Sequence, residues 1–268
     1  MPEAFVLGPG ATIAKKKRNR EFDVSLRDFL SHCVATVANS RRSLKYRMPD
    51  IDVQTRDIYH RISKYTMTSP ERIAGLCQAV RYVTDAKIPG AYVECGVWRG
   101  GSSMAAALSF IAAGDTERLI YLFDTFEGMT APSIHDRRAG DGTAAAELLK
   151  SSKQSDKIWC NASIEDVTAN MMSTSYDMER IILCKGMVEK TIPEQAPEQI
   201  AVLRLDTDWY ESTKHELEHL YPRLSAGGVL IIDDYGYWAG ARKAVDEYFS
   251  SNPILLNRLD KTGRIAVK

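Results

Sequence analysis

The chain has 268 residues and 29.9 kDa, is 44% hydrophobic and 26% charged, and sets 35 Lys and Arg against 35 Asp and Glu. A chain of this length buries roughly three quarters of its unfolded surface, so its core needs no disulfide or structural metal, and zero net charge excludes a protein whose main business is coating nucleic acid. The cysteines (Cys33, Cys77, Cys95, Cys160, Cys184) are odd in number, scattered and never in a Cys-x-x-Cys pair, which excludes a disulfide framework and a thiolate zinc site and fits a reducing compartment.

Residues 1–20 carry Gly8, Pro9, Gly10 and then the run Lys15, Lys16, Lys17, Arg18 and Arg20 without periodicity, which predicts a mobile, solvated basic arm. Its short apolar stretch precedes the basic run, the reverse of a signal peptide, and no apolar run is long enough to span a bilayer. The expectation is a soluble, cytoplasmic protein with no membrane or nucleic-acid partner. Helical spacing follows over 22–47 through Phe22, Leu26, Phe29, Leu30, Cys33, Val34 and Val37, and again over about 54–64. The predicted organisation is an arm (1–20), N-terminal helices forming a lid (21–68) and a main domain (69–268).

From Ser69 the pattern becomes regular. Ser69 and Pro70 are an N-cap and a first-turn proline for a helix to about Asp85, and Pro89-Gly90 separates it from a strand over Ala91–Glu94. A helix (Ser102–Ala113), a strand (Leu119–Asp124) and a long polar loop (Thr125–Gly142) come next; a loop of that length favours an active-site role. Further strands are predicted at 181–184, 201–206 and 229–233, helices near 163–173, 211–224 and 240–250, and a closing β-hairpin from Ile254 to Val267. Apolar strands alternating with helices predict a doubly wound, mostly parallel α/β sheet, with ligands at the carboxyl ends of its strands.

Acids collect at those ends. Glu94 precedes Gly96 and Gly100-Gly101, whose following helix start offers free N–H groups; Asp124 ends the next strand; Asp206, Asp208, Asp233 and Asp234 end two later ones. The spacing is neither Gly-x-Gly-x-x-Gly nor Gly-Lys-Ser/Thr. A glycine turn followed by an acid about 20–30 residues on points to a nucleoside ligand, and Glu94 disfavours a pyrophosphate while suiting an amino group or cationic ligand, as in S-adenosylmethionine. The period of two along a strand turns Asp206 and Asp208 to one side. Such a cluster stays ionised only beside a cation, and all-oxygen donors select a hard divalent ion, magnesium most naturally.

The stretches Arg61–Ser69, Val93–Gly101, Leu122–Met129, Leu203–Thr213 and Ile232–Tyr235 resemble the macrocin-type O-methyltransferases of antibiotic biosynthesis, a family that includes the enzyme methylating the noviose sugar of novobiocin. The resemblance implies a class I S-adenosylmethionine-dependent methyltransferase: a Rossmann-like seven-stranded sheet with an N-terminal helical lid, magnesium dependence and a sugar hydroxyl as acceptor. It implies that Glu94, Gly96 and Ser103, with Cys95, Val97 and Trp98 of the same turn, hold the methionine end of the donor. Thr66 and Met67 would close over it, Asp124 with Thr125 and Phe126 would bind the ribose, and Ser163 the adenine. Asp206, Asp233 and Asp234 are then the metal ligands and Asp208 the base, the alternative being Asp208 as ligand and Asp206 as base. A homo-oligomer is expected by analogy. Two further readings differ in class: a catechol-type enzyme acting on a phenol, and a non-catalytic nucleoside-binding protein.

His215-Glu216-Leu217-Glu218-His219 matches the zinc-peptidase pattern, but Leu217, Leu220, Tyr221 and Leu224 form the apolar face and put both histidines on the solvated side. Trp209 divides evenly between ligand packing and core, and His135, Glu127 and Tyr235 are further candidates without a firm role.

Overall fold

A computed structural model describes residues 48–268; the basic arm at 1–20 and the helix predicted over 22–47 lie outside them. The first described helix is α1 (Val53–Ile62), capped by Asp52, whose Oδ1 accepts from the Thr55 amide at 2.7 Å. Counted with the lid in the sequence, it packs Ile58 and Ile62 into the core of the sheet unit, which spans Met48–Lys268. Helix α2 (Pro70–Asp85) starts as predicted, with the Ser69 hydroxyl accepting from the Arg72 amide and Pro70 in the first turn.

The remaining elements are β1 (Ala91–Cys95), α3 (Gly101–Ala113), β2 (Ile120–Asp124), α4 (Ala145–Ser151), α5 (Ile164–Met172), β3 (Ile181–Lys185), α6 (Val188–Thr191), β4 (Ile200–Leu205), α7 (Tyr210–Leu220), β5 (Leu224–Ile232), α8 (Ala239–Tyr248), β6 (Asn257–Arg258) and β7 (Arg264–Val267). The short helices α4 and α6 were not expected. Strand β5 begins at Leu224 rather than Val229, because Gly227 at φ 78° lets a run that reads as a turn continue through a register shift.

The seven strands lie in the order β3-β2-β1-β4-β5-β7-β6; β1 to β5 pair in parallel and β7 runs antiparallel to both neighbours. Chain order reverses between β1 and β4, the position at which a doubly wound sheet opens a crevice at its carboxyl edge. One apolar layer joins the sheet to α1, α2, α3 and α5, the other to α6, α7 and α8. A third cluster of Ala145, Leu149, Trp209, Trp238 and Ala241 stands at the carboxyl edge.

Alternation along the strands sorts the edge residues between those layers. Tyr92, Val202, Val229 and Ile231 face the α1–α3 side, and Val93, Cys95, Leu203 and Leu205 the other. Glu94 and Arg204 are direct partners in the β1–β4 register, and Asp233 lies two residues beyond Ile231. Three charged groups therefore reach one face at the crevice. Among the described residues no helix is long and apolar enough to cross a membrane, and the four described cysteines are free.

Candidate active site

A cavity of about 610 Å³ opens at the carboxyl ends of β1, β4 and β5. Thr66, Met67, Glu94, Gly96, Val97 and Trp98 line one half; Asp206, Asp208, Asp234, Trp209, Tyr237 and Trp238 line the other.

In the first half, Glu94 is 1% exposed and every oxygen is engaged. Its Oε1 accepts from Arg204 at 2.7 Å, and its Oε2 accepts from the Tyr92 hydroxyl at 2.8 Å and from the Ser103 hydroxyl. Burial pushes its carboxyl up, and those three donors pull it back toward ionisation. Ser103 thus stands behind Glu94 rather than in the wall, and Cys95 turns into the opposite core layer. Gly96, at φ 82°, serves chain packing: a Cβ there would lie 2.1 Å from the Asp206 carbonyl oxygen. Gly101 likewise lets the start of α3 press on Tyr65 and Thr66, and its amide donates to the Tyr65 carbonyl, so it is not free for an anion.

Asp124 fastens the turn after β1. Its Oδ2 accepts from the amides of Val97 (2.6 Å) and Trp98 (3.1 Å), and its Oδ1 from that of Phe126 (2.8 Å). With Thr125 it borders a neighbouring cavity of about 60 Å³, while Phe126 is buried in the core. Ser163 is exposed and caps α5, accepting from the Asp166 amide at 3.3 Å; it does not line the main cavity.

In the second half, β4 ends at Leu205, so Asp206-Thr207-Asp208 is a turn and not strand, with Asp208 at φ 69°. The expectation that strand alternation aims both acids alike is corrected: the turn brings both into the cavity. Trp98 and Cys160, also in the wall, share this left-handed backbone, which costs non-glycine residues on the order of 1–3 kcal/mol each and gathers at functional sites.

Ligand oxygens of Asp206, Asp233 and Asp234 lie within 4.8 Å of one another. Their environments differ. Asp233 is buried between two arginines, Arg204 Nη2 donating to Oδ1 at 2.6 Å and Arg72 Nη1 to Oδ2. Asp206 Oδ2 accepts from Arg204 Nη1 at 2.7 Å. Among the described residues the buried Oδ2 of Asp234 has no hydrogen-bond partner, and burial with the Asp208 and Asp206 charges pushes its carboxyl well up. Burial and Asp206 push Asp208 up to about 7, although Trp238 Nε1 donates to its Oδ1 at 2.7 Å.

Arg204 and Arg72 were missed by the sequence reading. The signal available was Arg204 itself, a lone charge inside an otherwise apolar strand, where an unpaired cation is almost never buried. Asp136 was also missed: its Oδ1 accepts from the Tyr210 amide at 2.8 Å and tethers the long polar loop to the start of α7.

Several other candidates have structural partners. His135 packs edge-on to Tyr210, Glu127 pairs with Lys185 at 2.8 Å, and the Tyr235 hydroxyl donates to Asp246 at 2.8 Å. Trp209 is both core and wall, donating to the Thr130 carbonyl at 3.1 Å and meeting Trp238 edge-to-face. His215 and His219 are half-buried rather than solvated; their rings meet, and His215 Nε2 lies 3.0 Å from the Ile192 carbonyl. The reason is α6 and its following turn, which cover that helix face. Glu216 between them is fully buried, and burial pushes its carboxyl well up, which suits a protonated acid and not a zinc-site base.

The model of the macrocin O-methyltransferase family matches residues 11–266. The 8-demethyl-8-(2,3-dimethoxy-alpha-L-rhamnosyl)-tetracenomycin-C 4'-O-methyltransferase of Streptomyces olivaceus is 36% identical over 203 residues, 74% of each chain. Demethyldecarbamoylnovobiocin O-methyltransferase of Streptomyces niveus is 34% identical over 185 residues, 69% of this chain and 67% of that one. The solved structure of the O-methyltransferase NovP superposes with a TM-score of 0.66 at 30% identity, covering 76% of this chain and 82% of that one. The chain therefore belongs to the macrocin O-methyltransferase family and is an S-adenosylmethionine-dependent O-methyltransferase with the class I fold.

Proposed function

We propose that this methyltransferase acts on a hydroxyl of a sugar carried by a small-molecule natural product, with a magnesium ion held by Asp206, Asp233 and Asp234 and with Asp208 as the base. The relatives' names support the acceptor class, since one is named for a rhamnosyl-tetracenomycin and another for a mycinamicin 3''-hydroxyl. The observation that carries the reading is the shortage of positive charge at Asp208 and Asp234, beside a donor set made only of carboxylate oxygens.

That donor set fits a hard divalent cation: three ligand oxygens lie within 4.8 Å of one another, and the buried Asp234 Oδ2 has no hydrogen-bond partner among the described residues. A bound ion would lower the pKa of an aliphatic hydroxyl and orient it. The protein does the rest. Trp238 holds Asp208 through Oδ1 and so orients the carboxylate that would take the hydroxyl proton. Thr66, Met67 and the turn Gly96–Trp98 enclose the donor side, and Trp238 with the exposed Tyr237 forms an aromatic wall on the acceptor side. Holding the two reactants in line in a shielded cavity supplies much of the acceleration.

The test is methyl transfer to a panel of glycosides and catechols with and without chelator. Transfer to glycosides that EDTA abolishes and magnesium restores is expected. Full activity in excess EDTA removes the ion from this reading, and methylation confined to catechols removes the sugar.

A further inference from the structure

Arg204 is 1% exposed, and among the described residues its hydrogen bonds reach both halves of the cavity. Nη1 donates to Glu94 Oε1 and to Asp206 Oδ2, each at 2.7 Å. Nη2 donates to Asp233 Oδ1 at 2.6 Å and to the Thr68 hydroxyl at 3.1 Å. One guanidinium charge is thus divided between an acid of the donor half and two acids of the metal half, in a place where water offers no screening. The Asp233 side is held from behind by Arg72, itself bonded to Asp260 at 3.1 Å, so Asp233 cannot easily follow a displacement of Arg204.

We propose that Arg204 is a positioning residue that makes the donor and the divalent cation bind antagonistically, each lowering the affinity of the other. This rests on the reading above, in which the ion sits at Asp206, Asp233 and Asp234, and on Glu94 facing the donor's ammonium group. A cation added at Asp206 and Asp233 repels the guanidinium and competes for their lone pairs. Arg204 then leans on Glu94, whose charge is less available to the ammonium. An ammonium at Glu94 acts in the opposite direction on the same group. Reciprocity requires the same factor both ways. The consequence for turnover is that the ion needed for transfer also eases exchange of the spent donor.

Calorimetry on the full chain tests this with S-adenosylhomocysteine and with 5'-methylthioadenosine, which keeps the nucleoside but lacks the amino-acid end. Magnesium alone is titrated first; no binding overturns the ion reading and this proposal with it. Where magnesium binds, saturating it is expected to raise the Kd of S-adenosylhomocysteine roughly five-fold or more, within the usual range of coupling between sites. The Kd of 5'-methylthioadenosine is expected to change by less than about two-fold, since no ammonium meets Glu94. Arg204→Lys keeps the charge but loses the fork, and is expected to bring the factor for S-adenosylhomocysteine toward one while magnesium still binds. An unchanged or tightened Kd in the unaltered protein, equal weakening of both probes, or the same factor in Arg204→Lys overturns the coupling and leaves the ion reading standing. If Arg204→Lys does not fold, the comparison of the two probes decides alone.

Discussion

Two groups of acids share the carboxyl edge of one sheet and meet opposite electrostatic fates. Glu94, Asp206 and Asp233 hold permanent cations: Arg204 touches all three and Arg72 closes the far side of Asp233. Asp208 and Asp234, in the same cavity, have no arginine in contact among the described residues, and both carboxyls are pushed up. The difference teaches which acids build the cavity and which are left reactive. A buried carboxylate short of positive charge protonates or recruits a cation, which is the ground for proposing Asp208 as the base and Asp234, with Asp206 and Asp233, as ligands of the ion.

Asp208→Asn gives the hardest blow to this division. In its proposed role as base, its loss is expected to lower kcat by about 10²–10⁴-fold while binding of S-adenosylhomocysteine by calorimetry stays as it was. A variant within ten-fold of the unaltered enzyme would move the base elsewhere, Asp206 being the alternative. Trp238→Phe keeps the aromatic packing against Trp209 and removes one hydrogen bond to Asp208. A net loss of about 1.5–3 kcal/mol for a bond to a charged group corresponds to roughly ten- to hundred-fold in kcat, with KM for the acceptor little changed. An unchanged kcat would show that Asp208 is held by its turn alone.

The smallest effect sharpens the comparison most. Burial and the Asp206 charge raise Asp208 from 3.8 to about 7, and Asp234 beside it is raised as well, so without an ion this pair holds a proton well above the ordinary carboxylate range. For an acid with a raised pKa, the favourable contribution to folding is present at low pH and is lost as pH rises from 3.8 toward about 7. Adding magnesium to weakly buffered protein near pH 6 should therefore release a fraction of a proton per chain, read by a pH indicator. Asp208→Asn should shrink that release. Release that is absent would mean that the pair is already ionised and compensated.

Much of the site was legible in order but not in role. Ser69 as N-cap, the closing hairpin and the strand-end acids follow from local chemistry and periodicity, and they stand where expected. The glycine turn was legible too, though the close approach of the Asp206 carbonyl, which a Cβ at Gly96 would strike, was not. His215 and His219 were misread as solvated because the short helix α6, which carries no periodicity of its own, covers them.

The sequence by itself determined the doubly wound sheet, its binding edge and the family, because alternation of apolar strands with helices and a few contiguous stretches carry that information locally. Only the tertiary structure decided which acids are neutralised. Glu94 meets Arg204 through the register of two strands 110 residues apart, and Asp233 meets Arg72 across 161. Charge compensation is a property of neighbours in space, and the order of residues along the chain does not contain it.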